Sequence, residues 1–189
     1  MCRSVCRNFR IVGVEDGSFQ KTSQKALLAA VLLQKEWIEN VGFSYITVDG
    51  LDATEKLIEI LSGWKFDAVM LAGLSFGGFN IIDPHEVFKH FRKPVIVVSR
   101  TKPNNVAVKR ALQRHFADWE RRWKIFEKVA PVYRVNTVPP LYVEVVGVSF
   151  SAAVKILKAE MFVCRVPESL RVARLIARGL SGSGRNQGL

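Results

Sequence analysis

Residues 10–17 have the sequence Arg-Ile-Val-Gly-Val-Glu-Asp-Gly, an apolar run that ends in two acids and a glycine. This pattern predicts a buried strand that is followed by a turn. Two further apolar runs, Phe66–Leu71 and Pro94–Val98, follow along the chain, and helical sequence comes after each. Continuous apolar strands that alternate with helices are typical of parallel strands covered on both faces. The sequence therefore predicts an α/β protein.

The segment Ala26–Leu33 is apolar at every position, and its pattern alone does not assign it. Its Ala and Leu content favours a helix, but the segment is short and lies between polar clusters. Phe43–Val48 is rich in β-branched and aromatic residues and is predicted to be a strand. Two arrangements of this region stay open, which are strand-helix-strand and an antiparallel meander of three strands.

Cap residues and periodicity predict the remaining elements. Asp52, with Glu55 three residues later, has the spacing of a capping box and begins a helix that runs to about residue 62. Further helices are predicted over Pro84–Phe91, Asn104–Val129, Ser151–Glu160 and Glu168–Ala177, with short strands over Tyr133–Val135 and Leu141–Gly147. Residues 1–180 are assigned to a single domain and residues 181–189 to a flexible basic tail.

The chain is strongly basic, with 28 Lys and Arg against 17 Asp and Glu, a net charge of +11 and a pI near 9.9. Such an excess of positive charge suits a polyphosphate partner, and nucleic acid above all. No apolar run reaches the roughly 18 residues that a membrane span needs. The N-terminus has no apolar stretch to act as a signal peptide. We therefore expect a cytoplasmic protein with no membrane partner, whose oligomeric state the sequence leaves open.

Acidic residues lie at the ends of the predicted strands. Glu15 and Asp16 end the first strand, Asp49 ends a later one, and Asp83 follows a glycine-rich turn. In folds of this class, ligands bind outside the carboxyl ends of the parallel strands. Carboxylates gathered there can hold one or two Mg²⁺ ions, which activate water for phosphodiester hydrolysis. Each acid also has a structural alternative, because Asp-Gly is a common turn pair and Asp83 before Pro84 is a natural helix cap.

A dense basic face lies within Asn104–Val129 and includes Lys109, Arg110, Arg114, Arg121 and Arg122. Three aromatic residues, Trp119, Trp123 and Phe126, interleave with these positive charges. Aromatic side chains beside Arg and Lys can stack bases. Their spacing of i, i+4 and i+7 instead favours packing against the core. The basic residues themselves are predicted to bind the nucleic-acid backbone.

The segment Gly73-Leu74-Ser75-Phe76-Gly77 matches the G-x-S-x-G pattern of serine hydrolases. In those enzymes the serine lies on a sharp turn between a strand and a helix. No helix is evident directly after Ser75, because a second glycine and Pro84 indicate a longer loop. A serine hydrolase is therefore the less favoured alternative.

Several segments, in order along the chain, resemble an archaeal family often labelled endonuclease dU. They are residues 13–17 (GVEDG), 46–54 (ITVDGLDAT), 78–83 (GFNIID), 94–98 (PVIVV) and 167–173 (PESLRVA). This family is distantly similar to endonuclease V, which nicks nucleic acid near deaminated bases. The resemblance implies a ribonuclease-H-like α/β fold, with a mixed five-stranded central sheet flanked by helices. That sheet would contain an antiparallel three-stranded meander plus parallel strands, so the resemblance also implies that Ala26–Leu33 is a strand.

The resemblance assigns roles residue by residue. Asp16 is similar to a metal-binding aspartate of the first strand, and Asp49 falls where endonuclease V has its catalytic glutamate. Arg100 falls where endonuclease V has a lysine near the scissile phosphate. The third acid of endonuclease V has no counterpart, because Ala72 stands at that place. The histidine that is usual in the last helix of this family is Arg174 here.

These comparisons lead to the hypothesis of a Mg²⁺- or Mn²⁺-dependent endonuclease that acts on damaged, including deaminated, nucleic acid, with DNA favoured over RNA. The predicted catalytic residues are Asp16, Asp49 and Arg100. The predicted metal ligands are Asp16 and Asp49, completed by Asp52 or Asp83. The residues predicted to bind nucleic acid are Arg100, Lys102, Lys109, Arg110, Arg114, Arg121 and Arg122. The alternative hypothesis is a non-catalytic nucleic-acid-binding protein that has lost a metal ligand.

Overall fold

The computed structural model describes residues 9–129 and 131–182. The strands are β1 (Arg10–Asp16), β2 (Lys25–Gln34), β3 (Trp37–Thr47), β4 (Ala68–Leu71), β5 (Ser75–Phe76), β6 (Asn80–Ile81), β7 (Val95–Ser99), β8 (Tyr133–Val135) and β9 (Leu141–Val146). The helices are α1 (Ala53–Leu61), α2 (Pro84–Phe91), α3 (Asn105–His115), α4 (Trp119–Val129), α5 (Phe150–Ala159) and α6 (Glu168–Gly182). Among the helices that the structure describes, none combines the length and the apolar character that a bilayer span requires.

The main sheet has seven strands within the described residues, in the order β3-β2-β1-β4-β7-β9-β8. β1, β4 and β7 run parallel to one another, whereas the other neighbouring strands are antiparallel. The predicted mixed sheet with its antiparallel meander, β3-β2-β1, is confirmed. The predicted number of five strands is wrong, because β9 and β8 extend the sheet beyond β7. Without β9, the buried strand β7 would leave a row of backbone N–H and C=O groups unpaired.

The sheet separates two layers of helices. Val12 and Val14 of β1 belong to the core that α1 to α4 cover, whereas Ile11 of the same strand belongs to the core under α5 and α6. Successive side chains of a strand point to opposite faces. The adjacent acids Glu15 and Asp16, at the end of β1, therefore face different layers of the protein.

Helix α6 lies unusually close to β1. A Cβ atom at Gly13 would overlap the backbone of Ser169, so this position of β1 accepts only glycine. The close approach brings the side chains of α6 over the carboxyl end of β1. Ser181, in the last turn of α6, accepts a hydrogen bond from the backbone N–H of Ser18 at 2.8 Å.

The segment Ala26–Leu33 is a strand, as the resemblance implied. It lies within β2, between β1 and β3, and all eight of its residues are buried. Alternate side chains join the core under α1 to α4, while Val31 and Leu33 pack against Ala173 of α6. Because both faces of β2 are covered, its sequence shows no alternation of apolar and polar residues, and this is why the pattern alone did not distinguish strand from helix.

The helical periodicity of Asn104–Val129 corresponds to two helices, since α3 ends at His115 and α4 begins at Trp119. Between them Phe116 is extended, and its ring packs edge-on against Phe79 with centroids 5.5 Å apart. This tertiary contact interrupts a helical sequence pattern. The three aromatic residues of α4 pack against the core, as their spacing predicted.

The boundary predicted for the basic tail is also shifted. Ser181 and Gly182 are the last residues of α6, so they belong to the folded domain. The remaining part of the predicted tail, 183–189, lies outside the described residues.

Glu144 of β9 provides a stability prediction. It is 4% exposed, and burial raises the pKa of its carboxyl from 4.5 to about 7. At a pH between these two pKa values, the folded state binds more protons than the unfolded chain. The contribution of Glu144 to the free energy of unfolding therefore falls as the pH rises through this range. We expect Glu144→Gln to raise the free energy of unfolding by at most about 3 kcal/mol near pH 8 and by little near pH 4.

Urea unfolding at both pH values measures this difference, with the exposed Glu55→Gln of α1 as the control. A gain that is equal at the two pH values would contradict the assignment.

Candidate functional site

The turn Gly77–Phe79 joins β5 to β6 and brings together two acids from distant strands. The backbone N–H of Gly77 donates to Oδ2 of Asp16 at 2.7 Å, and that of Phe79 donates to Oδ1 of Asp49 at 2.7 Å. The N–H of Asp49 donates in return to the carbonyl of Gly77 at 2.9 Å. Asp16 and Asp49 therefore lie at the same end of the sheet, each held by one turn.

Gly78 is required at the centre of this turn. Its φ of +86° lies in the region that favours glycine, and a Cβ atom there would overlap Oδ1 of Asp49. Asp49 itself has a φ of +58°, a conformation that Asp tolerates better than most residues. Any side chain at position 78 would therefore displace the Asp49 carboxylate.

The same turn excludes the serine hydrolase alternative. Ser75 lies in β5, and its register partner is Ile81 in β6. The chain turns at Gly77 and Gly78 and returns as a strand, so the strand-turn-helix geometry of a nucleophilic serine is not formed there.

Asp52 is committed to internal hydrogen bonds. Its carboxylate accepts from the backbone N–H and the hydroxyl of Thr47 and from the side-chain amide of Asn80. Burial acts to raise the pKa of Asp52, but the hydrogen bonds from Asn80 and Thr47 outweigh it and hold the pKa below its ordinary value. The side chain does not cap α1, so the predicted capping box is wrong. Asp52 instead fixes the loop that follows β3.

Asp83 is the N-cap of α2, which confirms the structural alternative for this residue. Its Oδ1 accepts from the backbone N–H of His85 at 2.9 Å, and the residue is 8% exposed. It lines a groove of about 700 Å³ between α1, α2 and α4, to which Asp16 and Asp49 do not contribute. The structure does not bring Asp83 together with the other predicted ligands.

No group of three or more His, Cys, Asp or Glu side chains in the described residues is arranged to hold a metal ion. Asp52 and Asp83 have the other partners described above. Of the four predicted metal ligands, Asp16 and Asp49 are the pair that the fold places on one turn.

A pocket of about 400 Å³ lies at the same end of β1, on the side of the sheet that α6 covers. Its polar lining comes from Glu15 at the end of β1, from Arg100 after β7 and from Arg174 on α6, with Ala72 after β4 between them. Arg100 therefore lies at the predicted edge, but on the opposite side from the turn that holds Asp16. The pocket is where ligands bind in parallel α/β sheets.

Charge is concentrated in this pocket. Burial, followed by the negative charge of Asp16, raises the pKa of Glu15 to about 7, against the influence of Arg174, Arg100 and Arg178. Burial and the charges of Arg100 and Arg178 lower the pKa of Arg174, whereas Glu15 raises it. Two guanidinium groups and one carboxyl group thus line the pocket, and the charge of Arg178 acts on it as well, which favours an anion as the ligand.

Arg178 links the two sides of the edge. Burial raises the pKa of Asp16, while the hydrogen bond from Gly77 and the charge of Arg178 lower it. Arg178 acts in the same direction on Glu15. The charge of Arg178 therefore acts on both acids at the end of β1, although their side chains face opposite layers.

Arg122, which was predicted to bind nucleic acid, is 5% exposed, so its guanidinium group is not presented at the surface. Its Nη1 donates to the carbonyl of Gly50 at 2.9 Å and to that of Phe79 at 2.7 Å, and its Nε donates to Asp118 at 2.9 Å. The residue connects the loop after Asp49 to the glycine-rich turn. It is a positioning residue for the Asp49 carboxylate.

The other predicted nucleic-acid-binding residues lie at the surface. Exposed cationic side chains are those of Arg100, Lys102, Arg110, Arg114 and Arg121. Lys109 is half-buried, and its Nζ lies 5.0 Å from the ring centroid of Trp123. These positions are compatible with backbone contacts, which remain a prediction.

Sequence reasoning named Glu15 among the strand-end acids but gave it no role in the site, and it assigned no role there to Arg174 or Arg178. The signal was present, because two adjacent acids at the end of a strand must face opposite sides of the sheet. Only the docking of α6 decides which of the two faces carries the arginines.

The sequence profile of the family described as endonuclease dU matches residues 7–181. The chain belongs to the endonuclease dU family. A relative from Methanothermobacter thermautotrophicus, named UPF0215 protein, is 35% identical over 185 residues, which cover 95% of this chain and 91% of the relative.

Two solved structures share the fold of this chain. A protein of unknown function from Archaeoglobus fulgidus superposes with a TM-score of 0.84 and 30% identity, covering 91% of this chain and 98% of that one. Endonuclease V of Ciona intestinalis, in complex with a 23mer DNA containing an inosine followed by a ribo-adenosine, superposes with a TM-score of 0.64 and 11% identity. That superposition covers 95% and 88% of the two chains, and at such identity it shows a shared α/β fold alone.

The adjacent residues Arg121 and Arg122 allow a matched test of these assignments. Arg122→Ala leaves two carbonyls without a donor, so we expect it to lower the free energy of unfolding by about 2–4 kcal/mol. Arg121→Ala removes an exposed side chain and should change stability by less than about 0.5 kcal/mol. Thermal or urea unfolding of both variants measures the effect. Equal stability of the two variants would contradict the role of Arg122.

Proposed function

We propose that this endonuclease dU family member is an endonuclease that cleaves phosphodiester bonds in damaged, including deaminated, nucleic acid, with DNA favoured over RNA. One observation carries the proposal, which is that two groups of charged side chains lie at the carboxyl end of β1. On one face of the sheet a single turn holds Asp16 and Asp49, and on the other face Glu15 lies with Arg100 and Arg174. The endonuclease V-like fold and the net charge of +11 support it. We extend the proposal to a ribonuclease-H-like fold class and a cytoplasmic location.

The arginines of the pocket would bind the substrate. Arg100 and Arg174 line a cavity of about 400 Å³, large enough for a phosphate group with its sugar. Guanidinium groups suit phosphate because their planar donors match its oxygens. Arg178, one turn further along α6, adds positive charge near Arg174. The exposed cations Lys102, Arg110, Arg114 and Arg121 would follow the backbone away from the cleavage point.

A divalent metal ion, Mg²⁺ or Mn²⁺, is part of the proposal. Mg²⁺ is commonly held by one or two carboxylates, with water and substrate phosphate oxygens completing the shell. Asp16 and Asp49, tied to one turn, fit such a partial shell. When bound, the ion would polarise the phosphate and activate a water molecule. The chain's own contribution is to orient these two carboxylates through the N–H groups of Gly77 and Phe79.

A non-catalytic nucleic-acid-binding protein is the second candidate, and one observation favours it. Ala72 lines the pocket where a third acid is expected, and Arg174 supplies a positive charge where the family usually has a histidine. Such a protein would keep the arginine pocket and bind nucleic acid without cutting it.

A nicking assay separates these candidates. Uracil-, inosine- and abasic-containing strands are incubated with the protein at increasing Mg²⁺ concentrations. We expect Mg²⁺-dependent nicking by the wild type and a loss of at least about 100-fold in Asp16→Asn and Asp49→Asn, because each substitution removes a carboxylate from the proposed metal shell. Glu36→Gln, in the turn between β2 and β3, is the control and should cut normally.

Nicking by Asp16→Asn at the wild-type rate would remove Asp16 from the mechanism. Oligonucleotide binding that ignores divalent metal, without nicking of any substrate, would favour the second candidate. In that case Ala72→Asp, which supplies the absent carboxylate, tests whether a cutting site can be restored in this pocket.

The arginine pocket also predicts a salt dependence of binding. Each phosphate contact on a DNA duplex contributes about 0.9 to the slope of log affinity against log salt. We expect Arg100→Gln and Arg174→Gln each to reduce this slope by about one contact. Arg134→Gln, exposed on β8 away from the pocket, should leave the slope unchanged. Fluorescence anisotropy with a labelled duplex measures it, and a slope unaltered by Arg174→Gln would exclude that residue from phosphate binding.

A further inference from the structure

Strand β3 forms an open edge of the main sheet. It is 11 residues long and pairs with β2, and no strand of the described residues pairs with its outer side. A strand edge of this length presents a row of backbone N–H and C=O groups, which another extended strand can pair with. On β3 the N–H of Val41 already donates to Oδ1 of Asn40 at 2.9 Å, and this contact would be exchanged on pairing. Natural proteins usually protect such edges with charge, proline or a covering segment.

The side chains of β3 that face the α6 layer are apolar. Register with β2 places Ile38 opposite Leu33, and Val41 opposite Val31, on the face that α6 covers farther along the sheet. Phe43 and Tyr45 continue the same face, in register with Ala29 and Leu27. We call Ile38, Val41, Phe43 and Tyr45 the β3 stripe.

The β3 stripe is largely exposed. The exposed fractions of its four side chains are 51% for Ile38, 38% for Val41, 57% for Phe43 and 62% for Tyr45. A β-bulge at Leu32/Leu33 in the pairing with β2 keeps Ile38 on the same face as the other three. Helix α6 packs over β1 and β2 but leaves this part of the sheet uncovered.

The charges around the stripe do not suit nucleic acid or an anionic membrane. None of its members is a cation, and the acid within the strand, Glu39, is paired with Arg10 at 2.6 Å. A single lysine, Lys25 of β2, lies opposite Thr47 beside the stripe, whereas clusters of arginines lie in the pocket at the end of β1 and on α3 and α4. The partner that suits the β3 stripe is therefore an uncharged, extended segment of protein.

We propose that the partner is a second copy of this chain, paired through β3 in an antiparallel, two-fold arrangement. Such an interface uses one surface twice and must complement itself. With Phe43 opposite Phe43 of the copy, Val41 lies opposite Tyr45 on both sides of the two-fold axis, and the β-bulge ends the regular register before Glu39. This register sets apolar residues against apolar residues and places no like charges together.

The area of the stripe fits this partner. With about 150–250 Å² for each aromatic side chain, its exposed fractions amount to roughly 400 Å² of apolar surface. A standard interface takes roughly 800 Å² from each protein, somewhat more than half of it apolar. The stripe supplies that apolar share, and the backbone edge of β3 supplies hydrogen bonds. The proposal does not depend on the proposed nuclease function, because the pocket lies at another part of the sheet.

Sedimentation equilibrium of the full chain from about 1 to 100 µM tests the proposal. We expect a mass that rises from 21.3 kDa towards twice that value with concentration. Phe43→Lys and Tyr45→Lys place a charge in the apolar contact and should weaken association by at least about tenfold. Val106→Lys, at a position on α3 that is 63% exposed, is the matched control and should associate as the wild type does. Thermal unfolding confirms that each variant is folded.

A protein that stays at 21.3 kDa throughout would overturn the proposal, as would association by Phe43→Lys that equals that of Val106→Lys. Amide hydrogen exchange provides a second measurement. Exchange of the β3 amides should slow as the concentration rises, because the edge N–H groups become paired. Association that leaves the β3 amides unprotected would also overturn it.

Discussion

The site depends on two backbone hydrogen bonds from one turn. The N–H groups of Gly77 and Phe79 each bind a carboxylate, those of Asp16 and Asp49, which are separated by two strands in the chain. Backbone donors hold these carboxylates without help from flexible side chains, so the geometry is as rigid as the turn itself. The turn in turn depends on Gly78, whose missing side chain leaves room for Asp49. Substitution at this glycine would therefore affect both acids together.

Arg122 extends this constraint into the helical layer. By donating to the carbonyls of Gly50 and Phe79, it ties the loop after β3 to the turn, and Phe116 packs beneath its guanidinium at 4.3 Å. A buried arginine with all of these partners is costly to disturb, because removing it leaves polar groups unpaired. The break between α3 and α4 is thus part of the same structure, since it places Phe116 and Arg122 beside the site.

The two acids at the end of β1 lie on opposite faces of the sheet and have different partners. Asp16 faces the turn, where backbone donors hold it, while Glu15 faces the arginines of the pocket. The raised pKa of Glu15 reflects its burial beside Asp16, and the surrounding guanidinium groups reduce that effect without abolishing it. An anion bound there would compete with Glu15 for these same arginines.

The sequence by itself determined the α/β class, most strands and helices, the Asp83 cap, and the presence of acids and arginines near strand ends. It did so because hydrophobic periodicity and cap chemistry are local properties. The tertiary structure decided what depends on contacts between distant segments. These are the strand nature of Ala26–Leu33, the addition of β9 and β8, the burial of Arg122, and the choice of Glu15 as the acid that meets Arg174. A residue's neighbours across the sheet, rather than its neighbours in the chain, set which face of β1 becomes the pocket.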